Sequence, residues 1–249
     1  MVLLLSIPVL TMSLSNIISF APMSHTELSA ILLSLKFALL SSILSFPFAL
    51  FIGWAMARST FRGKSLIEGI IHLPLVMPPV TTGYLLLILL GTQGFIGNWL
   101  FRTLHLRLAF NQTAAVIAGV VVSFPLVTRS IRTAVEMIDP RMEDTSLTLG
   151  VSPFMTFFRI TFPLALPGIT SGFVLGFARC LGEFGATITF AGNIEGETRT
   201  IALAIYSLMQ VPGKEGATMR LVLFSVIISL IAMVIAEYLN KKVKRKHRL

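Results

Sequence analysis

Five stretches of this chain, about 29–57, 70–90, 113–134, 164–186 and 221–239, each run for the length of a membrane span with almost no charge. A helix needs about 20 consecutive apolar residues to cross the hydrocarbon of a bilayer. Inside lipid, backbone N–H and C=O groups must be satisfied within the segment, so long apolar runs of this kind fold as helices. Composition agrees. Of 249 residues, 55% are hydrophobic and 12% are charged, about half the charge of a soluble domain. The expected fold is therefore all-α, a polytopic membrane helical bundle over 23–249, with no separate soluble domain. The further apolar stretch 1–22 contains Pro8 and Asn16 and has no positive region before its apolar run, unlike a secretory leader. It reads either as an added first span or as sequence upstream of a start at Met12 or Met23.

The net charge of +9 is a matter of topology. Lys and Arg are retained on the cytoplasmic side of short loops. Arg58, Arg62 and Lys64 follow the first span, and Arg129, Arg132, Arg141 and Arg159 flank the third loop. Lys241, Lys242, Lys244, Arg245, Lys246 and Arg248 fill the tail, which brings one side to thirteen of the 20 basic residues. Arg102, Arg107, Arg199, Lys214 and Arg220 fall on the other side. This asymmetry predicts that the 139–163 loop and the C-terminus are cytoplasmic, in a multi-pass protein of the cell (inner) membrane. It also excludes nucleic acid as a partner, because the charge sits at span ends and not on a folded face. A single cysteine, Cys180, excludes an internal disulfide.

The cytoplasmic loop 139–163 has the punctuation of two short helices. Asp139 and Pro140 suit an N-cap and first helical position. Gly150 suits a left-handed C′ residue. Ser152 and Pro153 restart a second helix, which Pro163 is expected to close. That helix presents Phe154, Phe157 and Phe158 on one face, to be covered by a partner or laid on lipid. The spacing of Glu143, Gly150, nine residues, Ile160 and Pro163 resembles the cytoplasmic signature of ABC importer permeases, roughly Glu-Ala-Ala, Gly, nine residues, Ile-x-Leu-Pro. Thr145 and Ser146 replace the two small alanines, and Phe162 replaces Leu. The resemblance implies a type I importer transmembrane domain whose coupling helices seat in a separate ATPase subunit. It implies that Glu143, Asp144, Gly150, Phe154, Phe157, Phe158, Ile160 and Pro163 form the ATPase-coupling surface.

Residues 177–193 and 196–201, with Leu33 to Lys36, His72 to Pro79 and Ser123 to Leu126, are similar to the molybdate branch of these permeases. Sulfate permeases share the Gly182-Glu-Phe-Gly185 region, and tungstate is not separable from molybdate. The similarity extends from about Ser24 to the tail. It implies an oxyanion importer with a substrate-binding protein outside and a second permease copy beside it. A two-fold homodimer is the default for a self-complementary chain too small to enclose a path, and a different permease partner is the alternative.

The fourth span carries Gly168, Gly172 and Gly176 on one face, a ladder for close helix packing. Arg179 and Glu183 lie four apart in the same apolar run and must pair or face a wet cavity. With Thr187, Thr81, Thr82 and Ser123 they are the candidate pathway or gate residues, although any one hydroxyl can instead bond within its own helix. Lys36 either snorkels to the interface or lines the path. Pro74, Pro78 and Pro79 either bend the second span or place its start at Pro79. There is no HExxH, Gly-x-Ser-x-Gly or P-loop, and the four histidines lack ligand spacing, so neither catalysis nor a metal site is expected. ATP and its Mg²⁺ then belong to the partner. The rival reading, a secondary transporter or channel, would need intramembrane charges beyond Lys36, Arg179 and Glu183, or an inverted repeat.

Overall fold

The computed structural model describes residues 23–246. The segment 1–22 lies outside them. The helices are α1 (His25–Arg58), α2 (Lys64–Val76), α3 (Pro79–Leu90), α4 (Phe95–Leu104), α5 (Gln112–Glu136), α6 (Pro140–Thr148), α7 (Pro153–Thr156), α8 (Phe162–Leu181), α9 (Gly185–Phe190), α10 (Ile201–Met209) and α11 (Glu215–Lys246). No strand occurs among the described residues. Four helices are long and apolar enough to cross a membrane, and a bent pair makes up to five.

Helix α5 is the centre. It packs along α1 on one side and α8 on the other, and small residues make both seams close. A Cβ on Gly53 of α1 would stand 3.0 Å from the Thr128 carbonyl and Ile131. Ser41 of α1 donates to the Val116 carbonyl at 2.9 Å in a buried contact. The predicted ladder of α8 lies against α5. A Cβ on Gly172 would be 3.0 Å from Ser130 Cβ, one on Gly176 2.6 Å from Val127, and one on Gly168 would collide with Ala134. Ser130 donates across the same seam to the Gly168 carbonyl at 2.9 Å. In lipid no hydrophobic drive holds helices together, so this backbone approach supplies the packing.

Pro78 and Pro79 do bend the second span, one of the two readings that its prolines allowed. It bends by 113° between α2 and α3, because Pro78 and Pro79 cannot donate the helical N–H and Pro78 is extended (φ −54°, ψ 133°). Helix α3 has 12 residues, about 18 Å of rise, too short to cross alone. The fourth span differs from expectation. Pro163 does not close the second loop helix. The chain stays helical from Pro153 to Leu181, through a π turn at Phe157–Thr161 where the Phe162 N–H reaches the Phe157 carbonyl. The wider turn makes room for the proline ring, which would otherwise meet the carbonyl four residues back. At its other end α8 stops at Gly182, well before 186, and α9 continues in a new direction against α3.

The two ends of α1 are pinned by ion pairs. At its start, Ser24 and Glu27 form a capping box. The buried Glu27 also binds Arg220 of α11 at 2.8 Å. At its finish, Arg58 binds Glu143 of α6. The 139–163 loop and the end of α1 therefore share one end of the bundle, and the starts of α1 and α11 share the other.

Candidate functional site: the α6–α8 elbow and the broken span

Local signals build the elbow. Asp139 caps α6, its carboxylate accepting from the Arg141 N–H at 3.0 Å. Gly150 ends it with φ +83°. The Val151 N–H bonds the Ser146 carbonyl at 3.2 Å and the Gly150 N–H bonds that of Leu147 at 3.0 Å, the paired bonds of a Schellman motif. A Cβ on Gly150 would meet nothing within 4 Å, so only backbone strain opposes substitution. Gly150→Ala is expected to cost about 1 kcal/mol and Gly150→Asn less, read as a drop in melting temperature in detergent. Ser152 then caps α7 through the Met155 N–H.

Glu143 faces inward and is not an exposed docking residue. Its carboxylate takes Arg58 Nε at 2.8 Å and Nη2 at 3.0 Å, and accepts from the Thr161 hydroxyl at 2.5 Å. Arg58 also donates to the Ile138 carbonyl. One carboxylate thus joins the end of α1, helix α6 and the π turn. Ser146, in place of a small alanine, is buried and hydrogen-bonds Thr156 at 3.0 Å, closing α6 onto α7. Thr145 bonds back to the Arg141 carbonyl. Asp144 is exposed.

The aromatic face splits at the π turn. Phe154 and Phe158 point out, 72% and 47% exposed. Phe157 turns in against Trp54, with ring centroids 5.5 Å apart. Ile160 and Pro163 are half-buried. Leu147 and Leu149 add to the exposed apolar surface. Arg58, Thr161, Trp54 and Thr156 had no local signature in the sequence, since each acts through a partner on a distant element. A basic residue ending the first span was the sole visible trace of Arg58.

The pathway candidates differ in exposure and in partners. Arg179 and Glu183 pair at 2.7 Å, but across the helix break and not along one helix. Glu183 is buried and also caps α9 through the Ala186 N–H at 2.8 Å. Its charge is thus neutralised, and it braces the break. Thr82, Thr187 and Ser123 are buried, and Ser123 bonds the Val120 carbonyl in its own helix. Thr81 alone of the candidate hydroxyls is exposed. Lys36 donates to Gln112 on α5 at 2.7 Å. Among the described residues no group of His, Cys, Asp or Glu could hold a metal ion.

A bundle of this order, ending in a helix–glycine–helix elbow at one membrane face, is the transmembrane domain of an ABC importer. Solved structures agree on the fold. A bacterial ABC transporter that imports the acidic polysaccharide alginate superposes with a TM-score of 0.71 at 17% identity, covering 88% of this chain and 80% of that one. The MetNI methionine ABC transporter gives 0.69 at 14%, covering 89% and 99%. Residues 45–245 match the family described as binding-protein-dependent transport system inner membrane component, and the chain belongs to that family. It is 54% identical over 220 residues to the Molybdenum transport system permease protein ModB of Haemophilus influenzae, covering 88% of this chain and 96% of that protein. The Escherichia coli protein of the same name is 49% identical over 219 residues, with the same coverage. A probable sulfate transport system permease of Nephroselmis olivacea is 31% identical, covering 83% and 72%. The chain is thus a multi-pass inner membrane component of an importer.

Proposed function

We propose that the chain is the oxyanion-conducting permease of an ATP-driven importer, with molybdate as its anion. A binding protein delivers the anion at the Glu27–Arg220 end. A separate ATPase subunit, carrying ATP and Mg²⁺, docks on the elbow at the Arg58–Glu143 end, which is cytoplasmic together with the C-terminus. Two copies enclose the path. The observation that carries this reading is the elbow itself. It exposes Phe154, Phe158 and Leu149 while Glu143 ties it to α1 and to the π turn that leads into α8. A push on the exposed helices is therefore delivered to two spanning helices at once. The 54% identical molybdenum transport permease supports molybdate as the anion. Tungstate is the same-shape alternative, and the sulfate permease relative keeps sulfate as the third.

The test is uptake of radioactive molybdate by membrane vesicles holding the chain with its co-purified ATPase and binding protein. ATP-dependent uptake blocked by excess unlabelled molybdate or tungstate, and not by sulfate, is the expected result. Uptake without any ATPase subunit would refute the importer reading. Competition by sulfate alone would move the anion to sulfate.

A further inference from the structure

Helix α4 joins the end of α3 to the lead-in of α5, at the end of the bundle opposite the elbow. Its back is fixed, because a Cβ on Gly97 would collide with the Leu90 and Gly91 carbonyls. Phe95, Ile96 and Trp99 are exposed. The basic residues Arg102, His105 and Arg107 follow, and all three are exposed. No acidic residue occurs between Glu68 and Glu136. Arg199 and Arg220 are neutralised by Glu195 and Glu27, whereas no ion pair among the described residues reaches Arg102 or Arg107. Arg107 lines a groove of about 720 Å³ and is the only charged residue in that lining. Thr92 and Gln93 give the groove polar walls just past the end of α3, and Leu87 and Ile88 give it apolar walls one turn deeper in the span. Asn111 donates to the Arg107 carbonyl, and the guanidinium carbon lies 5.3 Å from the Phe101 ring centroid. A ring contact of this kind holds the cation without using its N–H donors.

A short helix with aromatic residues on its outer surface and arginines beside them suits the boundary between hydrocarbon and headgroups. Lys and Arg are disfavoured on the side of the membrane away from the cytoplasm, so two arginines there without carboxylates call for another counter-charge. A free oxyanion would supply the charge, but it would leave Ile88, Phe95 and Trp99 uncovered. A phospholipid supplies both. Its phosphate meets Arg107, Gln93 and Thr92, and an acyl chain runs inward along Leu87 and Ile88. Anionic lipid adds a favourable term for each basic residue near the headgroups, about fivefold in affinity apiece.

We propose that the groove beside α4 holds an anionic phospholipid of the leaflet opposite the elbow, with Arg107 as the counter-charge of its phosphate. The inference does not depend on which anion the chain transports. Trp54 and Trp99 are the only tryptophans, so in the full chain carrying Trp54→Phe the fluorescence reports on α4 alone. That protein is reconstituted into phosphatidylcholine vesicles containing one-fifth phosphatidylglycerol, with bromine on the acyl chains of one lipid or the other. Phosphatidylglycerol is expected to be enriched about fivefold over phosphatidylcholine beside Trp99. The preference should fall as salt is raised, disappear in Arg107→Gln and survive in Arg107→Lys. The salt titration needs no change at Arg107, so it decides the matter even if the Gln variant fails to fold. Equal quenching by the two lipids, or a preference that Arg107→Gln leaves intact, would overturn the proposal. Loss of the preference on adding millimolar molybdate or inorganic phosphate, at constant ionic strength, would show a free-oxyanion site instead. Quenching by neither lipid would show that α4 is covered by protein, a second copy or the binding protein.

Discussion

Arg58→Ala is expected to abolish ATP-driven uptake and to lower the melting temperature of the protein, although the residue is 85 positions from its partner. The guanidinium donates from Nη2 to Glu143 Oε1 and to the Ile138 carbonyl, and its Nε stands 2.8 Å from Glu143 Oε2 in the same ion pair. The Arg58 and Glu143 side chains are only 18% and 15% exposed, so water screens the pair partially. Removing one partner strands the other, and loss of charged bonds at such a site costs about 2–3 kcal/mol. The functional loss should exceed the stability loss. Without Arg58 the elbow keeps its caps and its Ser146–Thr156 bond, but nothing ionic joins it to α1. Glu143→Gln, which can still accept from Thr161 and Arg58, should be milder. The reversed pair Arg58→Glu with Glu143→Arg should recover part of what either single reversal loses. Uptake, ATPase co-purification and thermal melting check each step. Wild-type transport by Arg58→Ala would show that the elbow does not act through α1.

Gly83→Val is expected to disassemble the broken half of the bundle. Helices α3 and α9 touch through glycine on both sides. A Cβ on Gly83 would lie 2.7 Å from the Ala186 carbonyl oxygen and 2.8 Å from its Cα, and one on Gly185 would lie 2.7 Å from Pro79 Cβ and 2.9 Å from the Val80 nitrogen. The obstructing atoms are mostly backbone, so no side chain can turn aside. Overpacking in a well-filled core costs about 1–3 kcal/mol, and a β-branched residue against backbone belongs at or above the top of that range. The consequence should be aggregation on solubilisation and no transport. Gly182→Ala is the control. It lies in the same break but would meet nothing within 4 Å, at φ −89°, so a change within about 0.5 kcal/mol is expected. If Gly83→Val melts like the unaltered protein, the α3–α9 contact is not tight.

The broken span shows why parts of the site were illegible beforehand. Arg179 and Glu183 stood four apart in an apolar run, and a continuous helix was the natural reading. Gly182 and Gly185 made bending easy, and α9, once turned, packs against Gly83 of α3 more closely than any Cβ would allow. The π turn is similar. Pro163 looked like a stop because a proline ring clashes in an α-helix. One widened turn at Phe157–Thr161 removes that clash and lets the loop helix run straight into α8. It also rotates Phe157 inward to Trp54 and leaves Phe154 and Phe158 outside, splitting a face that regular periodicity had drawn as one.

The sequence alone determined the solvent, the helices and the elbow. Apolar run length and local caps are short-range properties, and Asp139, Pro140, Gly150, Ser152 and Pro153 act on their own neighbours. The spacing of Glu143, Gly150, Ile160 and Pro163 was readable for the same reason. Only the tertiary structure decided what the polar residues do. It paired Glu143 with Arg58, buried Thr82, Thr187 and Ser123, and neutralised Glu183 at the helix break. Those outcomes depend on which helices meet. Small residues spread over α1, α3, α5, α8 and α9 set that by allowing close backbone approach, and no window along the chain displays it.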